Sequence, residues 1–265
     1  MRLFALLLAC ATLSAQSGAN IYSVEKERSL GAHLAVEYRR HSHVPDAPTV
    51  NAFLDELGQR LAVQAPATGF TYTFELSEDE RTWLHEPATF PGGYVFVPAS
   101  LIMAAAGEDE LAAMLAHAIA HIAIRPLTRQ NARDQTANSS VVPLIMMGGW
   151  SGDAAQDNAV PIAFREAQRK KELESDQLAV RILSTAGYDP QALARYIERV
   201  QPADPPQPNA KAPYPGKEQR LAALQAAIRL LPPATYSPHP GLDAIHQDVT
   251  RLTARPAKTP PRLAR

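Results

Sequence analysis

The chain has 265 residues, a net charge of −1 and 46% apolar residues, enough to pack a core in one good-sized domain or two small ones. So balanced a charge leaves no electrostatic footprint for nucleic acid and no pull toward a strongly acidic partner. Prolines number 23, and many fall in the last third, where broken, loop-rich chain is expected.

The N-terminus reads MRLFALLLACATLSAQSG. One basic residue, an apolar run from Leu3 to Ala9 and then small residues make the pattern of a secretory signal peptide over 1–15, cleaved after Ala15. The run is too short to anchor the chain across a bilayer. The alternative is a lipoprotein signal with Leu7-Leu8-Ala9-Cys10 as its lipobox, which attaches the protein to a membrane through Cys10. Either pattern sends the protein out of the cytoplasm. Cys10 is the only cysteine. After cleavage at Ala15 no disulfide can form, and a metal site has to use histidines and carboxylates.

Val24 to Arg40 has helical periodicity, with Leu30, Leu34 and Val36 among its apolar positions. His33, His41 and His43, on or just after it, read as surface histidines. After Pro45 and Pro48, Thr49 is placed to cap a helix from Val50 to Val63. The pattern then changes to alternation. Phe70 to Leu76 predicts a half-buried strand, Thr82 to His85 a second, and Tyr94 to Val97 a third after the turn Pro91-Gly92-Gly93. Three short strands in sequence predict a small antiparallel sheet in a mainly helical chain, hence an α+β fold. Ser100 to Ala106 is a short helix ended by Gly107.

Glu110 to Arg125 reads ELAAMLAHAIAHIAIR. Its Ala, Leu and Met favour helix, and the helix is apolar on all sides, so it should be buried. Glu108, Asp109 and Glu110 suit its first turn, and Pro126 stops it. Inside the run the only polar side chains are His117 and His121, four residues apart and so on one face. Buried imidazoles need partners, and a divalent metal satisfies both. The spacing is that of the zinc-peptidase motif H-E-x-x-H, except that Ala118 stands where the motif has Glu.

Thr128 to Ser140 is polar. Val141 to Met147 is apolar and broken by Pro143, and it reads as a cover over the site or a lid. Ala159 to Ala186 is a long helical stretch, ended by Gly187-Tyr188-Asp189-Pro190, and a further helix runs from Pro190 to Val200. Gln201 to Gly216 is a proline-rich loop, Lys217 to Leu231 is helical, and residues 232–265 hold a C-terminal helix and a basic, proline-rich tail. A third metal ligand has to come from outside the first helix. Glu166, Glu172, Glu174 and Asp176 are the candidates. Glu172 and Asp176 share a helix face and Glu174 points away, so one face can supply both a ligand, Glu172, and a carboxylate that orients an imidazole, Asp176.

Several separate elements now line up. Pro91-Gly92-Gly93-Tyr94-Val95-Phe96-Val97, the helix Glu110 to His121, Glu172-Leu173-Glu174-Ser175-Asp176, Ala186-Gly187-Tyr188-Asp189-Pro190, and Pro213-Tyr214-Pro215 followed by Arg220 occur in that order. Over roughly Val24 to Arg220 the sequence resembles the zinc metallopeptidase family that includes HtpX, the CAAX prenyl endopeptidase and BepA. The resemblance implies a zincin-like domain over 20–231 that binds one zinc ion. His117, His121 and Glu172 are then its ligands and Asp176 their supporting partner. It also implies a peptide laid as an added strand on Gly93, Tyr94, Val95, Phe96 and Val97, and polypeptide substrates in the periplasm or envelope.

Two departures bear on activity. The family's general base is replaced by Ala118, a loss of about 100- to 10,000-fold where such a group is positioned. The family's oxyanion-side His is Tyr214, whose hydroxyl can still donate a hydrogen bond. The expectation is a zinc-binding member with impaired hydrolysis, a pseudopeptidase in the limit. Glu174 and Glu110 are the nearest replacement bases along the chain. The alternative is a chaperone-like or scaffold domain without metal, its histidines satisfied by Glu172 and Asp176.

Overall fold

The computed structural model describes residues 23–78, 85–124, 162–202, 215–239 and 241–254. The stretch 1–15 read as a signal peptide, with Cys10, the stretch Val141–Met147, Tyr214 and the tail from Arg255 lie outside the described residues.

Helix α1 (Val24–His41) starts at Ser23, whose hydroxyl accepts from the Lys26 amide at 3.3 Å. Glu25 and Glu27 in its first turn complement the helix dipole. His33, His41 and His43 are exposed, as their surface positions predict. Helix α2 (Pro48–Ala62) begins two residues earlier than expected. Pro48 occupies the first turn, where its fixed φ and missing N–H cost nothing. The N-cap is therefore Ala47, not Thr49, and no side chain caps it. Val50, Leu54, Leu57 and Leu61 form its buried stripe.

The sheet has three strands, β1 (Thr73–Ser77), β2 (Ala88–Phe90) and β3 (Tyr94–Pro98), in the order β1-β3-β2. Strands β2 and β3 form an antiparallel hairpin across Pro91-Gly92-Gly93, pairing Phe90 with Tyr94. Strand β1 runs parallel to β3, pairing Thr73 with Tyr94 and Leu76 with Val97. The sheet is mixed where an antiparallel one was expected. The chain inserts β3 between β1 and β2 instead of adding it beside β2, so β1 and β3 point the same way. The second strand also lies later than expected. His85 is not in a strand, residues 82–84 are outside the described set, and β2 begins at Ala88.

This order corrects a second expectation. Residues Gly93 to Val97 are not a free edge for a peptide, because β3 is hydrogen-bonded on both sides and the Gly93 carbonyl already accepts from Thr73 N at 2.9 Å. Gly93 has φ 106°, and a Cβ there would lie 2.2 Å from the Thr71 carbonyl oxygen. Only glycine lets β1 come that close.

The two faces of β3 alternate in use. Val95 and Val97 enter the main core with α2, α3 (Ala99–Ala104) and α4 (Glu108–Ala123). Phe96 turns the other way and packs with Phe90 and Tyr38 of α1, its ring 4.4 Å from that of Tyr38. Every residue of α4 except Asp109 is buried. It lies against α2, β2 and the long helix α5 (Ile162–Ala186). Helix α5 ends at Gly187, φ 86°, with Tyr188 N bonded to Leu183 O at 2.9 Å and Gly187 N to Ser184 O at 3.3 Å. That double bond pattern is the left-handed glycine stop expected of a helix C-terminus. Helix α6 (Gln191–Val200) packs against α4, and helix α7 (Lys217–Arg229) packs against both α5 and α6. Helix α8 (Asp243–Thr253) closes α2 and α3, placing Val249 in the core. No described helix is long and apolar enough to cross a membrane.

Candidate metal centre

His117 and His121 lie one turn apart on α4, in the part of that helix that faces α5. Their rings are 4.5 Å apart at 78° and their Nε2 atoms 2.9 Å apart. Glu172, from the middle of α5, brings Oε2 to 3.4 Å from His117 Nε2 and 3.3 Å from His121 Nε2. The three residues are 1%, 6% and 5% exposed. A tetrahedral ion with bonds of about 2.0–2.1 Å holds its ligand atoms about 3.3–3.4 Å apart. The triangle therefore has the size of one face of such a tetrahedron, slightly drawn in along the His–His edge. Protein groups alone satisfy it poorly. Glu172 Oε2 and His121 Nδ1 are buried and make no hydrogen bond among the described residues, a costly state for polar atoms. A cation in the triangle removes the first of those deficits. No other cluster of three metal-capable side chains occurs among the described residues.

Behind the triangle stands a second set of charges. His117 Nδ1 is 2.9 Å from Asp176 Oδ1. Arg220, from α7 and fully buried, grips Asp176 with two bonds, Nε to Oδ2 at 2.9 Å and Nη2 to Oδ1 at 2.8 Å. Its remaining nitrogen, Nη1, is 3.6 Å from Glu86 Oε1. That same oxygen is 4.0 Å from His117 Nε2. Glu86 is buried and comes from the segment just ahead of β2. The cluster sets three carboxylates against one guanidinium, with the Lys171 ammonium near Glu172 as a further cation.

These neighbours set the titration of the metal-free protein. Burial pulls the His117 imidazole down, but Asp176 and Glu172 outweigh it and raise the group to about 10. His121 lacks such a carboxylate on its far nitrogen, and burial lowers it to about 4. Burial and then the nearby Glu172 charge raise Glu86 to about 7. Burial also acts to raise Asp176, yet Arg220 and His117 overcome it and hold the carboxyl below the usual range.

The structure thus brings together His117, His121, Glu172 and Asp176. Ala118 is buried beside them and carries no proton acceptor. Neither replacement base suggested by chain position joins them. Glu110 accepts from Ala106 N at 2.8 Å and pairs with Arg199 at the far end of α4, while Glu174 is half-buried, off the face shared by Glu172 and Asp176. Glu166 is exposed. Sequence reasoning overlooked Glu86 altogether. It bears no periodic relation to the histidines, and its only signal is an acid next to Pro87 ahead of a buried strand.

Comparison with known proteins bears on the same residues. The model for peptidase family M48 matches residues 48–243. A Vibrio cholerae protein that carries the name beta-barrel assembly-enhancing protease provisionally is 28% identical over 248 residues, 88% of this chain and 50% of that protein. The beta-barrel assembly-enhancing protease of Yersinia pestis is 25% identical over 244 residues, 85% of this chain and 48% of the relative. The mitochondrial metalloendopeptidase OMA1 of Saccharomyces cerevisiae is 32% identical over 117 residues, 42% of this chain and 32% of the relative. The chain spans half or less of the length of these relatives. The family match runs from α2 to the start of α8 and takes in every residue of the buried cluster, and the chain belongs to peptidase family M48.

Proposed function

We propose that this protein is a zinc-binding M48 metalloendopeptidase-family protein that engages polypeptides of the periplasm or envelope and hydrolyses them weakly. The observation that carries the reading is the triangle of His117 Nε2, His121 Nε2 and Glu172 Oε2, with edges of 2.9, 3.3 and 3.4 Å. In this reading those three atoms hold one zinc ion. Bound zinc supplies a Lewis acid that polarises a peptide carbonyl and makes water more acidic. Asp176 accepts the Nδ1 proton of His117, which leaves Nε2 as the donor atom. Arg220 keeps Asp176 in place and ionised.

Ala118 offers no group to move a proton, and a loss of about 100- to 10,000-fold follows from that absence. Tyr214 is assigned the oxyanion-side hydrogen bond. The peptide is assigned to the outer edge of β2, which pairs with no second strand among the described residues and leads directly from Glu86. The envelope location rests on the signal-peptide pattern over 1–15 and on relatives named for beta-barrel assembly. Membrane attachment enters only through lipid on Cys10, and nucleic acid has no part. A metal-free chaperone-like scaffold leaves buried Glu172 Oε2 with two imidazoles at 3.3–3.4 Å and no well-formed hydrogen bond among the described residues.

The test is zinc content after mild purification, together with β-casein hydrolysis by this chain beside Ala118→Glu. The expected outcome is close to one zinc per chain in both, and hydrolysis raised at least about 100-fold by Ala118→Glu. Zinc near zero per chain refutes the metal site. Equal hydrolysis by the two proteins refutes the role given to position 118.

A further inference from the structure

The buried cluster holds one carboxylate more than a His-His-Glu centre with an orienting aspartate requires. That carboxylate is Glu86, and three observations bear on it. The first is distance. Glu86 Oε1 is 4.0 Å from His117 Nε2. The carboxylate therefore borders the ligand triangle, on the side of His117.

The second is the backbone. His85, immediately before Glu86, has φ 53° and is the one non-glycine residue in the left-handed region among the described residues. An L side chain reaches that region at a cost of roughly 1 kcal/mol or more, tolerated mainly where the surrounding structure demands it. Here it turns the chain so that Glu86 enters the cluster.

The third is charge. Glu86 is a third carboxylate in the cluster beside Glu172 and Asp176, 3.6 Å from the Arg220 guanidinium, while Ala118 contributes none.

We propose that Glu86 is the carboxylate that serves the attacking water in this chain, in place of the one missing at position 118. The proposal rests on the metal-binding reading above. Glu86 takes a proton from the water as its oxygen bonds to the carbonyl carbon of the peptide. It gives that proton to the amine nitrogen as the C–N bond breaks. One water is consumed, a carboxylic acid and an amine are formed, and Glu86 ends as it began. Arg220, 3.6 Å away through Nη1, positions the carboxylate without touching the reacting atoms.

The experiment compares Glu86→Gln in the present sequence and in the Ala118→Glu background, using the full zinc-loaded chain. Three quantities are read: zinc per chain, β-casein hydrolysis, and the affinity for a peptide hydroxamate, whose binding to zinc hands a proton to a nearby carboxylate. Glu86→Gln keeps about one zinc per chain, lowers hydrolysis at least about 10-fold and weakens the hydroxamate at least about 10-fold. With Glu installed at position 118, the cost of Glu86→Gln shrinks at least about fivefold, because the proton has another acceptor.

An equal cost in both backgrounds overturns the proposal and leaves Glu86 as a counter-ion of Arg220. So does full hydrolysis by zinc-loaded Glu86→Gln, or a present chain that loads zinc and hydrolyses casein no faster than its metal-free form. A chain that takes up no zinc overturns the metal reading instead. Should Glu86→Gln fail to fold, Glu86→Asp keeps the charge and shortens the reach by one methylene. Its loss of hydrolysis must again be larger with Ala118 than with Glu at that position.

Discussion

Replacing Arg220 by alanine removes the only guanidinium that, among the described residues, is bonded to the buried carboxylates behind the metal triangle. Asp176 loses two hydrogen bonds of 2.8 and 2.9 Å, and Glu86 loses a cation 3.6 Å away. Both carboxylates stay buried. Breaking a buried pair by deleting one partner costs about 3–5 kcal/mol, against a total stability of about 5–15 kcal/mol for a domain. At about 2–4 °C per kcal/mol for a domain of this size, the melting temperature should fall by about 6–20 °C.

The assay is thermal unfolding followed by circular dichroism, in buffer with a chelator so that no ion contributes. Arg220→Lys keeps the charge but loses the two-pronged geometry, so its fall is smaller. The pH dependence carries a definite sign. Burial raises Asp176, but Arg220 and His117 depress it. The stability it contributes is present above the ordinary aspartate value of about 3.9, and is lost as pH falls through the depressed one. The gap between parent and Arg220→Ala should therefore be full at pH 7 and narrow only in acid. A melting temperature within about 3 °C of the parent at pH 7 would falsify the assignment of Arg220 as the counter-charge of this cluster.

Asp176→Asn removes the charged acceptor that fixes His117, so zinc affinity measured by chelator competition on the folded, though destabilised, variant should drop about 10- to 100-fold; an unchanged affinity contradicts the pairing. In the metal-free protein His117 is raised to about 10 and His121 lowered to about 4, so at pH 7 one imidazole is charged and the other neutral. Zinc uptake should then release one proton from His117 and up to about half of one from Glu86, which is raised to about 7, counted by calorimetry in buffers of differing ionisation enthalpy; release of none or of two counts against that assignment. Gly93→Ala puts a Cβ 2.2 Å from the Thr71 carbonyl oxygen at φ 106°. It should destabilise by about 1–3 kcal/mol or abolish soluble protein, and a variant that melts with the parent refutes the close approach of β1 and β3.

The helices were legible because their periods are strong. The all-round apolar run of α4 predicted burial, and the four-residue spacings His117–His121 and Glu172–Asp176 predicted shared faces, which the geometry bears out. Strand positions were legible to within a few residues, but strand order was not. Alternation reports which residues face the core and says nothing of which neighbour β3 will take. For that reason β3 reads as an edge strand in the sequence and is the middle strand in the fold. Thr49 was read as a cap because its hydroxyl suits one, while Pro48 already supplied a rigid first turn. Glu86 was invisible because its role depends on a turn through His85 and on the arrival of Arg220 from α7, 134 positions later.

Arg220 ties the last of these pieces to the first. Glu86 arrives ahead of β2, the histidines on α4, Glu172 and Asp176 on α5, and Arg220 on α7. Contacts this distant along the chain form late in folding, once loop closure has been achieved. A chain still folding has the triangle of α4 and α5 before α7 docks, but not the guanidinium behind it. The ligands and the charge that steadies them are thus brought in by different stretches of the chain, and the centre is complete only when the last of them is in place.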